Sequence, residues 1–181
     1  MIVRAWLLVF LLLPVPGLAA EFEVTRLSTQ LLDGSYVMDA EIDFQFSDKA
    51  LEALQNGVPL TLQIQIQLRR EGAWIWEKDE LDVRLRYRIR YQALPSVYQV
   101  IDLQSKTQQS FVTRESALKA LGKLPAFTLV KQEQLQSDRS YLLSLYSELD
   151  IEELPLPLRP LAYLTPAWNL SSEWGTWRLQ P

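Results

Sequence analysis

Alternating apolar and polar positions dominate the chain and predict β-strands. The alternation is clearest at residues 36–46, 60–69 and 81–91, where nearly every second residue is apolar. A period of two is typical of a strand with one buried side and one side facing solvent. Less regular segments also predict strands, at residues 21–32, 97–103, 127–131, 141–150 and 173–179. We therefore expect roughly seven to nine strands.

Two short helices and one tight turn interrupt the strands. The first helix is predicted to begin after Ser47 and to end at Gly57, and the second to begin after Thr113 and to end at Gly122. Serine and threonine are good N-caps, and glycine is the commonest residue just beyond a helix end. Asp33-Gly34 is a favoured pair for a two-residue hairpin turn.

The order of these elements predicts a mainly β protein. We favour an antiparallel β-sandwich of immunoglobulin-like kind with two short helices, although the Cys and Trp spacing of true immunoglobulin domains is missing. An α+β layer or a barrel is the alternative. Residues 154–160 hold three prolines, too many for a helix or a central strand. We expect that segment to run extended or along a sheet edge.

The first twenty residues have the layout of a bacterial signal peptide. Arg4 precedes a short apolar run, which two prolines interrupt and small residues end. The run is shorter than the roughly 20 apolar residues of a spanning helix. We predict cleavage after Ala19 or Ala20, an exported, periplasmic chain, and one β-rich domain over residues 21–181 with no transmembrane segment.

Composition excludes several kinds of site. The chain has no Cys and no His, so disulfides, Cys/His zinc sites and His-based triads are impossible. Asp39, Glu41 and Asp43 offer carboxylates, but alternate positions on a flat strand do not wrap an ion as a loop does. We predict no metal and no cofactor. Losing Arg4 with the signal peptide moves the net charge from −4 to −5, which argues against nucleic acid as a partner.

An arginine face is the first candidate binding surface. Four arginines alternate along one predicted strand: Arg84, Arg86, Arg88 and Arg90. Side chains with this spacing share one face and could grip phosphates, lipid head groups or acidic glycans. Alternatively, they pair with the acids at residues 39–43, if those two strands are neighbours. The glutamine-rich strand at residues 60–69 could instead lie between them.

Trp74 and Trp76 are the weaker candidates. They lie beside Glu77 and Asp79, and a carboxylic acid next to an aromatic ring is a pattern of glycosidase sites. We favour core packing for the tryptophans, with sugar stacking or an interface as alternatives. We expect the acidic stretch to be a solvated loop.

The chain also resembles a family of small exported proteobacterial proteins defined as a domain of unknown function. Some members carry the label "proline-rich signal peptide protein". The resemblance covers roughly residues 36–177 and lies in these segments: Ala53–Leu60, Arg86–Leu94 with Tyr98, Leu149–Asp150, Leu154–Pro157 and Trp168–Ser172. The family usually has an arginine- and tryptophan-rich segment where this chain has residues 71–76. Its genes often lie beside a sensor kinase gene, so the resemblance implies an accessory role in envelope signalling and no catalytic residue.

These observations favour a periplasmic, non-enzymatic protein that binds a protein partner or a cell-envelope component. The competing hypothesis is a protein that binds or acts on carbohydrate such as peptidoglycan, using Trp74 or Trp76 with Glu77 or Asp79. A third is a chaperone-like module, which would have an exposed sheet edge that accepts a partner strand.

Overall fold

The computed structural model describes residues 21–74 and 76–181, in which nine strands and three α-helices form. The predicted signal peptide and its cleavage position lie outside the described residues. The strands are β1 Phe22–Leu32, β2 Ser35–Phe44, β3 Leu60–Arg70, β4 Leu81–Gln92, β5 Val97–Asp102, β6 Gln108–Phe111, β7 Lys123–Lys131, β8 Tyr141–Leu149 and β9 Gly175–Leu179. The helices are α1 Asp48–Gln55, α2 Arg114–Leu121 and α3 Arg159–Leu164.

The strands form two antiparallel sheets. The smaller sheet has the order β1-β2-β7 and the larger one the order β6-β5-β4-β3-β8-β9. Both contribute to a single cluster of buried apolar residues. The predicted mainly β fold of two antiparallel sheets is confirmed.

Strand β3 shows how the sequence pattern builds the larger sheet. Its five apolar side chains are all completely buried: Leu60, Leu62, Ile64, Ile66 and Leu68. The alternating Gln63, Gln65 and Gln67 lie on the outer side, where they are partly exposed. Because β4 and β8 pair with its two edges, β3 is the central strand that orients both neighbours.

The predicted hairpin turn and helix caps occur. Asp33 and Gly34 have positive φ angles of 48° and 72°, as a two-residue turn that matches the twist of its strands requires. The Ser47 hydroxyl accepts the backbone N–H of Ala50, and that of Thr113 accepts the N–H of Ser116, each at 3.2 Å.

The prediction for the proline-rich segment is wrong. Residues 156–158 form a turn, and α3 begins at Arg159 instead of an extended chain. Pro160 occupies the first turn of α3, where a helix needs no proline N–H. This adds a third helix to the two predicted.

Strands β6 and β7 differ most from their predictions. The segment Gln108–Phe111 is a short edge strand within a stretch predicted to begin as a polar turn. Strand β7 begins at Lys123 and contains Pro125, which its edge position in the smaller sheet tolerates. Ala126, at a φ of 48°, lies where the pairing of β7 with β2 is irregular.

The two sheets meet at a seam near residues 171–172. Ser171 forms a bridge to Glu148 of β8, while its carbonyl on the other side accepts the N–H of Phe22 in β1 at 3.2 Å. Ser172 continues this short ladder, since its N–H donates to the Ser147 carbonyl at 2.8 Å. One hydrogen-bonded segment therefore links the larger sheet to the first residue of the smaller one.

None of the helices within residues 21–74 and 76–181 is long and apolar enough to cross a membrane.

Candidate functional site

The arginine face lies on the outer side of β4, next to the glutamines of β3. Arg86 lies within 2.7 Å of a Glu153 carboxylate oxygen and within 3.2 Å of one from Asp150. Arg88 lies 2.9 Å from the other oxygen of Glu153. Glu153 therefore bridges two of the four arginines.

These acids reach β4 because the chain turns sharply at the end of β8. The N–H of Asp150 donates to the Thr61 carbonyl of β3 at 2.8 Å, and a 3₁₀ turn, Ile151–Glu153, follows. Hydrogen bonding to Glu153 raises the pKa of Arg86, and the bond from Arg86 lowers the pKa of Glu153. Both shifts favour the charged pair.

The acids at residues 39–43 lie elsewhere. They belong to β2 in the smaller sheet, so the glutamine strand β3 is the neighbour of β4. Asp39 instead accepts the N–H of Ala126 at 3.0 Å, and Asp43 accepts the Gln45 amide at 3.1 Å. No cluster of three or more possible metal ligands occurs in the described part of the chain.

The ends of the arginine face differ in exposure. Arg90 donates twice to the Gln99 side-chain oxygen, at 3.0 and 2.8 Å. Arg88 also donates to the Thr61 hydroxyl at 3.2 Å. Arg84 is exposed and takes part in no ion pair among the described residues. Most of this face is therefore used in internal contacts, with Arg84 pointing to solvent.

Trp74 and Trp76 form an exposed, stacked pair in the loop between β3 and β4. Their ring centroids lie 5.3 Å apart with an interplanar angle of 10°. The side chains are 65% and 79% exposed, so the expectation of core packing is wrong for both. They lie beyond the end of β3, whose alternating apolar residues fill the core at that position.

Polar contacts brace the backbone beneath this pair. Arg69 donates to the Trp74 carbonyl at 2.6 Å and lies 3.4 Å from an Asp79 oxygen. Glu77 pairs with Arg70 and accepts the Trp74 N–H at 3.1 Å. The two indoles thus project from a loop that is held at its base.

The environment of Glu77 bears on the glycosidase hypothesis. The hydrogen bond from the Trp74 backbone and the contact with Arg70 lower the pKa of Glu77. A general acid needs the opposite shift, since it must keep its proton near neutral pH. Asp79 is paired with Arg69. The arrangement suits a brace for the loop better than a catalytic acid.

Trp174 and Tyr146 form a second aromatic stack, which the sequence did not predict. The ring of Trp174 lies 5.0 Å from that of Tyr146 at 21°, on the outer side of β8, and Trp174 is 47% exposed. The Tyr146 hydroxyl donates to Glu148 at 3.1 Å. By contrast, Trp168 is only 4% exposed and belongs to the core. The only sequence signal was the alternation of β8, which places Tyr146 and Glu148 on one face.

Comparison with known proteins gives a family and no more specific relative. No curated protein and no solved structure matches the chain. A family model described as a domain of unknown function, DUF4390, matches residues 19–178. The matched segment contains both sheets, the seam and the loop that carries Trp74 and Trp76. The chain therefore belongs to the DUF4390 family.

Proposed function

We propose that the protein is an exported, non-enzymatic binding protein of the cell envelope that engages a protein partner through Trp74 and Trp76. The observation that carries this proposal is the exposure of two stacked indoles on a braced loop. Tryptophan is enriched among the residues that dominate binding energy at protein interfaces.

The contacts that hold the Trp74–Trp76 loop in place also favour tight binding of a partner. Ordering a mobile loop on binding costs free energy, and a loop already held in place avoids much of that cost. Arg69 of β3 contacts Trp74, Glu77 and Asp79 in the loop. Glu77 in turn accepts the Trp74 N–H and pairs with Arg70 of β3. The indoles can therefore enter a partner's pocket with little reorganisation of their backbone.

Export and a role in signalling are parts of the same proposal. Export is supported by the basic, apolar and small-residue layout of residues 1–20. The accessory role in envelope signalling rests on the gene neighbourhood that the family resemblance implies.

The test is crosslinking in living cells, with mass spectrometry to identify the captured proteins. We expect the double variant Trp74→Ala, Trp76→Ala to lose the captured partner while its stability changes by less than about 0.5 kcal/mol, because both side chains are exposed. Tyr163→Ala with Leu164→Ala is the matched control, since it removes exposed apolar side chains from α3. Equal capture by the double variant and the wild type would reject the Trp74–Trp76 surface.

Two further arms of the experiment address the alternatives. Arg84→Glu reverses the exposed end of the arginine face without breaking an internal pair, so a loss of capture there would favour that face. Titration of tryptophan fluorescence with peptidoglycan fragments tests sugar stacking on the exposed indoles. A saturable shift that disappears in the Trp74→Ala, Trp76→Ala variant would favour a carbohydrate ligand over a protein partner.

A further inference from the structure

Beyond the seam, a cleft lies between β1 of the smaller sheet and β9 of the larger one. At the seam, Phe22 of β1 is hydrogen-bonded to Ser171. The chain then leaves the ladder at Glu173 and Trp174 and pairs again with β8 from Gly175 onward. Both β1 and β9 are the last strands of their sheets. Each therefore presents one edge that no other strand of the described chain covers.

The cleft is large enough for a peptide segment and carries negative charge on both walls. Its volume is about 550 Å³. Glu21 and Glu23 line the β1 side and Glu173 lines the β9 side, while no Lys or Arg lines it. A cationic ligand is therefore favoured over an anionic one.

Aromatic side chains complete the β9 wall. Trp174 lines the cleft while its ring is held against Tyr146. The Trp177 indole lies over Gly175, where even a Cβ atom would overlap the ring. A guanidinium or ammonium group can stack on such rings. Because Gly175 has no side chain, the Trp177 ring can lie directly against the backbone of β9.

We propose that this cleft binds an extended, basic peptide segment of a partner protein, which adds to the free edge of β9 as a further strand. Backbone hydrogen bonds from the edge supply affinity, and lysine or arginine side chains reach Glu23 and Glu173 and the face of Trp174. A five-residue edge such as β9 matches a peptide of about 17 Å. This site is separate from the Trp74–Trp76 pair. It specifies that the partner presents an extended segment with basic side chains.

A second copy of the chain is a poorer occupant than a basic segment. A second copy carries the same net negative charge of −4, and it would meet the acidic walls of the cleft at Glu23 and Glu173. Like charges oppose such an association. The acidic walls therefore protect the edge against self-pairing while they attract a cationic strand.

Fluorescence polarisation with a short, labelled peptide of alternating lysine and valine tests the site on the mature chain. We expect saturable binding that weakens with added salt. The double variant Glu23→Gln, Glu173→Gln should bind about tenfold more weakly, from the loss of charge contacts at two exposed carboxylates. Glu52→Gln with Glu133→Gln is the control, because it removes the same charge from exposed positions outside the cleft.

A backbone-methylated form of the same peptide separates strand addition from simple charge attraction. Methylation keeps the side chains and their charge but removes the N–H donors, so we expect binding to be lost. Equal binding of the methylated peptide would overturn strand addition, and equal binding to the Gln double variant would overturn the cleft. The Trp74→Ala, Trp76→Ala variant should bind the peptide normally, so failure here is distinguishable from failure of the proposed function.

Discussion

Gly122 is a residue whose small size the packing of α2 requires. Its carbonyl accepts the N–H of Ile42 in β2 at 2.9 Å, and an added Cβ would overlap the Ile42 carbonyl oxygen. That neighbour is backbone and cannot rotate away. The backbone at the end of α2 therefore lies so close to the Ile42 backbone of β2 that residue 122 has no room for a side chain.

We predict that Gly122→Ala lowers the free energy of unfolding by about 1–3 kcal/mol, because the overlap forces α2 and β2 apart. Urea denaturation of a chain that begins at residue 21 measures this. Lys119→Ala, at an exposed position of the same helix, should change stability by less than about 0.5 kcal/mol. Equal stability of Gly122→Ala and the wild type would show that the helix end is free to shift.

At the scale of elements, Asp150 and the 3₁₀ turn Ile151–Glu153 hold β4 through acidic side chains. We call Asp150 and Glu153 together the acidic clasp. Glu153 contacts Arg86 and Arg88, and Asp150 contacts Arg86. All of these side chains are partly exposed. Solvent therefore weakens each pair, and the clasp contributes less than its short distances suggest.

The clasp gives a prediction with a definite pH dependence. Because the folded state lowers the pKa of Glu153, its stabilisation is present above the pKa of the unfolded carboxyl. It is lost as the pH falls through the lowered folded value. Glu153→Gln should therefore cost up to about 1 kcal/mol at pH 7 and little once the carboxyl is protonated. Urea unfolding at pH 7 and in acid measures the difference.

Glu152→Gln is the matched control for the clasp, since it changes the adjacent acid. Glu152 lies 4.0 Å from Arg159 and is more exposed than Glu153. We expect the stability of this variant at pH 7 to stay within about 0.5 kcal/mol of the wild type. If both variants lose the same stability at pH 7, the effect belongs to overall charge and not to the contacts with β4.

The elements also show what could be predicted from sequence. The alternation in β3 and β4 defined their faces correctly because a strand's period is a local property. The partners of Arg86 could not be predicted in the same way, because Asp150 and Glu153 are more than sixty positions away. Strand β6 gave little signal, since its sequence QQSF is mostly polar. Its strand character comes from pairing with β5.

The same distinction between local patterns and distant contacts applies to the candidate sites. Period-two spacing placed the four arginines on one face, but exposure depends on which distant segments fold over that face. For Trp74 and Trp76, aromatic character alone favoured burial. Contacts of the loop with Arg69 and Arg70 place them outside instead. The cleft at β1 and β9 joins residues from opposite ends of the chain, which no local pattern reveals.

At the scale of the whole molecule, the seam determines whether the two sheets behave as one unit. Where the ladder of β8 loses its partner strand, the Ser172 hydroxyl accepts the Ser147 N–H at 2.9 Å. Both serines are buried. A side chain thus completes the backbone hydrogen bonding at the point where Phe22 joins the smaller sheet to the larger one.

We predict that Ser172→Ala destabilises both sheets together, by about 1–3 kcal/mol, because it leaves the buried Ser147 N–H without a partner. Hydrogen exchange of β2 and β3 amides, followed during urea unfolding, should give one shared and lowered transition if the chain is a single cooperative domain. Ser144→Ala, on the partly exposed side of β8, is the control and should leave that transition nearly unchanged. Separate transitions for β2 and β3 would show that the seam does not couple the two sheets. In that case, the cleft between β1 and β9 could open without unfolding of the whole chain.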